Sequence, residues 1–204
     1  MKNILKLISA AALLAAFALP SVSASVEAGQ KAPEFSLTDL SGKTHRLSDY
    51  HGKVVVLEWV NPECPFVMKH YDHSGNIPAL QKAAAADGVV WLSINSGKAG
   101  SQGDYDVSKV EAWTAKTGAA PVAYFRDSDG TVGKLYGAKT TPHIFVITDE
   151  GTVAYEGAID SIRSTEVDDI AKATNYVTAA LASVKAGQPV AKAMTEPYGC
   201  SVKY

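Results

Sequence analysis

The sequence is poor in cysteine: its 204 residues contain two, Cys64 and Cys200. They lie far apart in the chain, so a dithiol motif within one loop is excluded. A metal site built on two neighbouring cysteines is excluded for the same reason. Two cysteines allow one bridge within the chain, or pairing between two chains.

Runs of basic residues are also absent, and the formal net charge is −2. We therefore expect no nucleic-acid partner. The chain shows no internal repeat and no long low-complexity segment. After the N-terminal region no apolar run is long enough to cross a bilayer, so we expect no membrane association of the mature protein.

The first 24 residues have the three parts of a secretory signal peptide. Lys2 and Lys6 give a positive start, residues 8–19 form an apolar segment, and Val22-Ser23-Ala24 offers small residues for cleavage. This pattern predicts cleavage near Ala24 and a periplasmic or secreted protein. In such an oxidising compartment a disulfide can persist. A single domain is expected over residues 25–187, followed by a tail, residues 188–204, that carries Cys200.

Hydrophobic patterning predicts an α/β protein with a mixed central sheet flanked by helices. Residues 35–37 and 44–47 form an N-terminal hairpin in this prediction, with Gly42 at its turn. Further strands are predicted at residues 53–60, 89–95, 121–125, 143–148 and 152–156. Helices are predicted from Pro65, over residues 77–86, up to Lys116, over residues 132–136 and over residues 165–186.

Several stretches resemble a known family. Cys64 follows a buried strand in WVNPECPFVMKHY, and Thr141-Pro142 precedes a strand pair. APEFSLTDLSGKTHRLSDYHGKVVVLEW, residues 32–59, resembles the redoxin branch of the thioredoxin fold, which includes peroxiredoxins and thioredoxin-like thiol oxidoreductases. NPECPFVMKHY, VVWLSINS and YEGAID are similar to a peroxiredoxin-like group within it. The resemblance covers roughly residues 32–182 and implies a thioredoxin-like fold.

The resemblance also assigns positions. Cys64 falls where peroxiredoxins carry the peroxidatic cysteine, and Pro142 matches a cis-proline that faces it. Asn61 stands in place of the peroxiredoxin threonine or the thioredoxin nucleophile. Leu57 replaces the proline of the peroxiredoxin motif, and the supporting arginine has no counterpart.

Chemistry favours Cys64 as the attacking group. It precedes Pro65 at a predicted helix start, where free backbone N–H groups stabilise a thiolate. Cys200 is a candidate resolving cysteine on a mobile tail; a permanent bridge to Cys64 and a bridge between the chains of a homodimer are the alternatives. Asn61 can donate an amide N–H to the sulfur. The backbone of Thr141, before Pro142, is expected to receive an extended substrate strand.

Other residues have weaker claims on the site. His143 is a candidate base near Cys64, and Trp59 is expected at the rim of the site. Lys69 and Arg126 are candidates to place positive charge beside the thiolate. We expect no metal and no cofactor.

The interpretation we favour is an exported peroxiredoxin-like thiol oxidoreductase, with Cys64 attacking peroxide and Cys200 resolving it. A separate dithiol must then reduce the protein. The first alternative is a thiol-disulfide oxidoreductase that acts on protein disulfides. The second is a non-catalytic thioredoxin-fold binding module with a structural Cys64–Cys200 disulfide.

Overall fold

The computed structural model describes residues 25–204. The predicted signal peptide, residues 1–24, lies outside the described residues. Within the described part, no helix has both the length and the apolar composition needed to cross a membrane.

A five-stranded sheet forms the centre, in the order β5-β4-β3-β7-β8. Three strands are parallel, and β7 and β8 run antiparallel to their neighbours. The strands are β3 (Val55–Trp59), β4 (Val90–Asn95), β5 (Ala123–Arg126), β7 (His143–Ile147) and β8 (Val153–Gly157). Every residue of β3, β4 and β7 is buried, as their continuous apolar sequences predict. The predicted mixed sheet is confirmed.

Two short strand pairs lie beside this sheet. The predicted hairpin is confirmed as β1 (Ser36–Thr38) and β2 (Thr44–Arg46), and Asp39 bridges from it to Phe125 on the outer strand β5. The second pair joins β6 (Thr140–Thr141) to β9 (Cys200–Ser201). Strand β9 was not predicted, because two residues carry no periodic signal.

Helices cover both faces of the sheet. They are α1 (Pro65–Met68), α2 (Asn76–Ala86), α3 (Val107–Thr117), α4 (Thr131–Tyr136) and α5 (Tyr176–Lys185). One core packs α1, α2, α3 and α5 against the sheet through residues such as Val67, Ile77 and Val177. The other core packs α4 and the N-terminal segment through Val132, Phe35 and Leu47.

The predicted helix over residues 165–186 is confirmed only in its second half, and its predicted start is wrong. Residues Val167–Asp169 form a 3₁₀ turn, and α5 starts only at Tyr176. Asn175 ends the preceding loop in an extended conformation and accepts a hydrogen bond from the backbone N–H of Thr178 at 2.9 Å. An Asn side chain that satisfies the first turn in this way begins a helix rather than continuing one.

Candidate active site

Cys64 lies at the turn from β3 to α1. Its backbone is extended, it occupies the N-cap of α1, and Pro65 follows at the first helical position. The backbone N–H of Cys64 donates to Asn61 O at 3.0 Å, which closes the turn. The helix then continues through a π-helical segment, Lys69–His73. Such segments occur often at functional sites. The predicted helix start at Pro65 is confirmed.

The sulfur of Cys64 is fully buried and lies between two backbone segments. Its thiol donates to the carbonyl oxygen of Thr141 at 3.0 Å. The backbone N–H of Cys200 donates to the same sulfur at 3.4 Å. Both cysteines are free thiols, and the fold brings together two residues that are 136 positions apart.

The peptide bond between Thr141 and Pro142 is cis, as predicted. Thr141 lies in β6 and is paired with Cys200 of β9 in antiparallel register. The backbone that was expected to receive an extended substrate strand therefore holds a strand of the same chain.

The environment of Cys200 keeps its proton in place. Burial, with the hydrogen bond and charge of Cys64 as further causes, raises the pKa of Cys200 from 9.0 to about 12. Cys200 can therefore act as a donor toward the Cys64 sulfur at neutral pH. A protonated Cys200 is a poor nucleophile, because only a thiolate attacks.

The tail is bound along its length, in contrast to the mobile tail of the prediction. We call residues 194–204 the C-terminal strap. Its start is fixed on β8, where Glu156 bridges to Met194. Its end is fixed by three further contacts: Val202 N–H to Lys139 O at 3.0 Å, Lys98 N–H to Lys203 O at 2.8 Å, and Tyr204 O–H to Ala138 O at 2.8 Å. The strap is what crosses over Cys64.

Tyr198 and Gly199 seat the middle of the strap. Tyr198 is buried, its hydroxyl donates to Asp160, and its ring packs edge-on against Phe66 with centroids 5.7 Å apart. Gly199 has φ +144° and lies against the carbonyl of Thr141. The predicted site did not include Tyr198 or Asp160. A possible signal was the Pro-Tyr-Gly run directly before Cys200.

Asn61 has a different role from the one predicted. Its amide Nδ2 donates to Gln102 O at 3.1 Å rather than to the sulfur, and its Oδ1 accepts the backbone N–H of Glu63 at 2.9 Å. The backbone N–H of Gly103 also reaches the Glu63 carboxylate at 3.2 Å. Asn61 therefore fixes the loop after β4 against the turn that carries Cys64.

Two residues predicted near the sulfur lie on the other side of the sheet. Trp59 and His143 are register partners in β3 and β7. Trp59 is fully buried in the core beneath α4, and its Nε1 donates to Ser96 Oγ at 3.0 Å. His143 pairs with Glu156 at 3.1 Å, and burial lowers its pKa. The rim position for Trp59 and the base role for His143 were wrong, because strand alternation turns both side chains away from Cys64.

The two predicted cations are engaged elsewhere. Arg126 pairs with Asp104 at 2.7 Å. Lys69 is fully buried and its Nζ lies 3.8 Å from Asp160 Oδ2. Neither is seen to contact the sulfur. In residues 25–204 no three His, Cys, Asp or Glu side chains come together as a metal site would require.

Cys64 lies where a central strand turns into a helix, and the cis peptide bond between Thr141 and Pro142 lies beside it, as the resemblance to thioredoxin-fold proteins implies. Residues 28–156 match the AhpC/TSA family, so the chain belongs to that family.

The chain is also similar to individual proteins. It is 32% identical over 136 residues to the thiol-disulfide oxidoreductase ResA of Geobacillus thermodenitrificans (strain NG80-2), covering 63% of this chain and 67% of ResA. A hypothetical protein of Sinorhizobium meliloti 1021 has 25% identity and a TM-score of 0.72, with 89% of this chain and 96% of that chain covered. The thioredoxin domain of a thiol-disulfide oxidoreductase from Bacteroides vulgatus has 18% identity, a TM-score of 0.52, and coverage of 72% and 98%. This last likeness concerns the fold alone, and the predicted thioredoxin-like fold is confirmed.

Proposed function

We propose that the protein is a thiol-disulfide oxidoreductase in which Cys64 attacks a disulfide of a protein substrate and Cys200 resolves the product. The observation that carries this proposal is the position of Cys200 beside Thr141 and Cys64. A cysteine-bearing strand lies antiparallel to Thr141, and its backbone N–H donates to the Cys64 sulfur. The site therefore already binds one extended segment with a cysteine at the position where sulfur exchange would occur.

The reaction conserves atoms and electrons in two exchanges. The Cys64 thiolate attacks one sulfur of the substrate disulfide; the other substrate sulfur leaves as a thiolate and takes up a proton. Cys200 then loses its proton and attacks Cys64, which forms the Cys64–Cys200 disulfide and releases the second substrate sulfur. Two electrons pass from the protein to the substrate. A separate dithiol protein must return them.

The raised pKa of Cys200 fits this order of events. While Cys64 is a thiolate, burial and the neighbouring charge keep Cys200 protonated and unreactive. Once Cys64 is held in a mixed disulfide, its charge is gone, and that contribution to the raised pKa disappears. Cys200 thus becomes easier to deprotonate at the stage where its attack is needed.

The likeness to ResA, a thiol-disulfide oxidoreductase, supports the same activity. Our sequence-based preference was for peroxide as the substrate, and it stays as a second candidate. It is favoured by the AhpC/TSA match and by a lone cysteine with a distant partner. In that reaction the Cys64 thiolate attacks one peroxide oxygen, the O–O bond breaks, and Cys64 becomes a sulfenic acid. The other oxygen leaves as hydroxide or alkoxide and takes up a proton. Attack by Cys200 then gives the disulfide and water.

Turnover assays on the wild-type protein, Cys64→Ser and Cys200→Ser separate these activities. With insulin as the disulfide and a dithiol reductant, we expect the wild type to turn over and Cys64→Ser to be inactive. Cys200→Ser should accumulate a mixed disulfide with insulin, visible by mass spectrometry. Equal rates for the wild type and Cys64→Ser would refute the proposal.

The same three proteins assayed with hydrogen peroxide test the second candidate. Peroxide consumption that depends on Cys64, without insulin reduction, would make peroxide the substrate. A Cys64–Cys200 bridge that resists mild reductant, with no activity in either assay, would instead identify a binding module.

We also propose that the protein acts after export, in the periplasm or outside the cell, on the basis of residues 1–24. Its assembly as a homodimer is the less favoured arrangement, since Cys200 reaches Cys64 within one chain. Mass mapping of the oxidised protein would distinguish a bridge within one chain from a bridge between two.

A further inference from the structure

We propose that Tyr198 is a positioning residue for the thiol exchange. Its hydrogen bond to Asp160 holds the strap closed, aligning Cys200 with Cys64 and keeping large substrates away from Cys64 until the strap opens. This inference rests on the proposed function, because it concerns the step in which Cys200 resolves Cys64.

The first argument is the short distance along the chain between Tyr198 and Cys200. Tyr198 is 3% exposed, and one residue, Gly199, separates it from Cys200. Gly199 is packed on the Thr141 carbonyl, so it leaves no slack between the tyrosine and the cysteine. Fixing the Tyr198 side chain therefore fixes the backbone N–H that donates to the Cys64 sulfur.

The second argument is the place of Asp160. Its side chain is buried, and its Oδ1 accepts both the Tyr198 hydroxyl and the backbone N–H of Ile162 at 3.1 Å. Its Oδ2 has no hydrogen-bond partner and lies 3.8 Å from Lys69 Nζ and 3.7 Å from His70 Nε2. A buried carboxylate needs such a positive neighbour, and Lys69 supplies it.

Lys69 and His70 also connect Asp160 to the nucleophile. Both belong to the π-helical segment that directly follows α1, and Cys64 is the N-cap of α1. The Tyr198–Asp160 hydrogen bond thus joins the strap to the same helical segment that positions Cys64. The two reacting cysteines are held relative to one another by this hydrogen bond, by the packing of Tyr198 on Phe66 of α1, and by the β6–β9 pairing.

The third argument is that the rest of the strap has its own attachments. Thr195 Oγ1 accepts the backbone N–H of Ala158 at 2.9 Å on one side of Tyr198, and Val202 N–H reaches Lys139 O at 3.0 Å on the other. Removing the Tyr198 hydroxyl alone should therefore loosen the segment around Cys200 without detaching the whole strap. Tyr198→Phe keeps the ring that packs on Phe66 and removes only the O–H donor.

Two rates should then change in opposite directions. Cys64 is 0% exposed under the closed strap, so a looser strap should let a bulky disulfide reach it faster. The same looseness lowers the effective concentration of Cys200 at Cys64, so closure of the intramolecular disulfide should slow. A general loss of stability would not make one rate rise and the other fall.

The test uses 5,5′-dithiobis(2-nitrobenzoate) as the disulfide and follows release of its coloured thiol. The first equivalent reports attack by Cys64, and the second reports closure by Cys200, with two electrons leaving the protein in total. For Tyr198→Phe we expect the second step to slow by about tenfold, the size of one hydrogen bond to a charged group, while the first step becomes faster. Single-turnover runs with Cys200→Ser assign the first phase.

Tyr136→Phe is the matched control. This change also removes a tyrosine hydroxyl that donates a hydrogen bond, to Pro33 O at 2.6 Å, but Tyr136 lies in the other core. We expect both rates of Tyr136→Phe to stay near those of the wild type. Amide hydrogen exchange at Cys200 should be faster in Tyr198→Phe alone, and circular dichroism checks that each variant is folded.

The proposal is overturned if both rates change in the same direction, if Tyr198→Phe matches Tyr136→Phe, or if Cys64 reacts in neither the wild type nor Tyr198→Phe. Failure of the proposed function has a different signature: the reagent rates split as expected, but the wild-type protein does not turn over insulin.

Discussion

Gly199 of the strap lies in direct backbone contact with Thr141. A Cβ atom placed on Gly199 would stand 2.0 Å from the carbonyl oxygen of Thr141, closer than any real contact allows. That carbonyl is the one to which the Cys64 thiol donates. Any side chain at position 199 therefore pushes the strap away from the reactive sulfur.

Replacing Gly199 with alanine should open the site. The Cβ cannot fit against Thr141, so β9 should separate from β6 and expose Cys64. We expect modification of Cys64 by a maleimide reagent to become at least about tenfold faster. The reason is that the clash should weaken the pairing of β9 with β6 by more than about 1.4 kcal/mol, which corresponds to a factor of ten. Mass spectrometry of the labelled protein measures this.

Gly187→Ala serves as the control for backbone strain. Gly187 has φ +66°, but a Cβ there meets nothing within 4 Å. The Gly187→Ala variant should lose stability because alanine disfavours a positive φ, but it introduces no clash, so Cys64 should stay protected from the reagent. Unchanged labelling of Gly199→Ala would mean that the strap is not what buries Cys64.

Asn61→Ala should destabilise the loop after β4 and leave the reactivity of Cys64 nearly unchanged. The variant loses the contacts to Gln102 O and Glu63 N–H. We expect a loss of about 1–2 kcal/mol in the free energy of unfolding and faster amide exchange at Gly103. Iodoacetamide, a small reagent, should modify Cys64 at a rate within about threefold of wild type, because the variant loses no hydrogen bond to the sulfur. A much slower reaction would restore Asn61 as a donor to the sulfur.

Glu58 should make stability depend on pH between about 4.5 and 7. This fully buried carboxyl accepts from Tyr71 and Trp91, each at 2.7 Å, while its Oε1 has no partner. Burial raises its pKa from 4.5 to about 7. In this window the folded protein keeps the proton and the unfolded chain releases it, so stability falls as pH rises.

Glu58→Gln removes this titration. We expect urea unfolding of the wild type to lose about 3 kcal/mol more than the variant between pH 4.5 and pH 7. The comparison of the two slopes cancels the other titrating groups. Parallel pH curves for the two proteins would mean that Glu58 is ionised throughout.

Asn175→Ala tests where α5 begins, because the sign of the effect depends on the answer. As the N-cap residue, Asn175 should contribute about 1 kcal/mol, so the alanine variant should be destabilised by that amount. In a continuous helix over residues 165–186 the same change would stabilise the protein, since alanine is the better helix former. Thr174→Ala, at an exposed neighbour, should change the free energy of unfolding by less than about 0.5 kcal/mol.

The sequence was sufficient for those parts of the fold that rest on local patterns. Continuous apolar runs gave the buried strands around Leu57 and Leu92, and Pro65 gave the start of the helix after Cys64. The helix from residue 165 failed because its apolar spacing continues through a region where Asn175 caps a new helix. Periodicity does not distinguish a cap from an interior polar residue.

The site was predicted in its chemistry but not in its contacts. Cys64, Thr141 and Pro142 were placed together by resemblance, and they do lie together. Trp59 and His143 were expected near the sulfur because Trp59 shortly precedes Cys64 and His143 follows Pro142. Successive side chains of a strand point to opposite faces of the sheet, and these two point away from Cys64. Tyr198 and Asp160 were missed because a pairing between a tail and a distant loop leaves no spacing signal in one sequence.

The long separation between the two cysteines also connects oxidation to folding. Cys64 meets Cys200, 136 positions away, only when the sheet is complete and the strap has crossed it. A disulfide between them therefore cannot form readily on an unfinished chain. Once formed, it closes residues 64–200 into one loop, which the chain-entropy model values at about 5 kcal/mol. The disulfide therefore forms in molecules that have reached the native topology, and it then stabilises that topology.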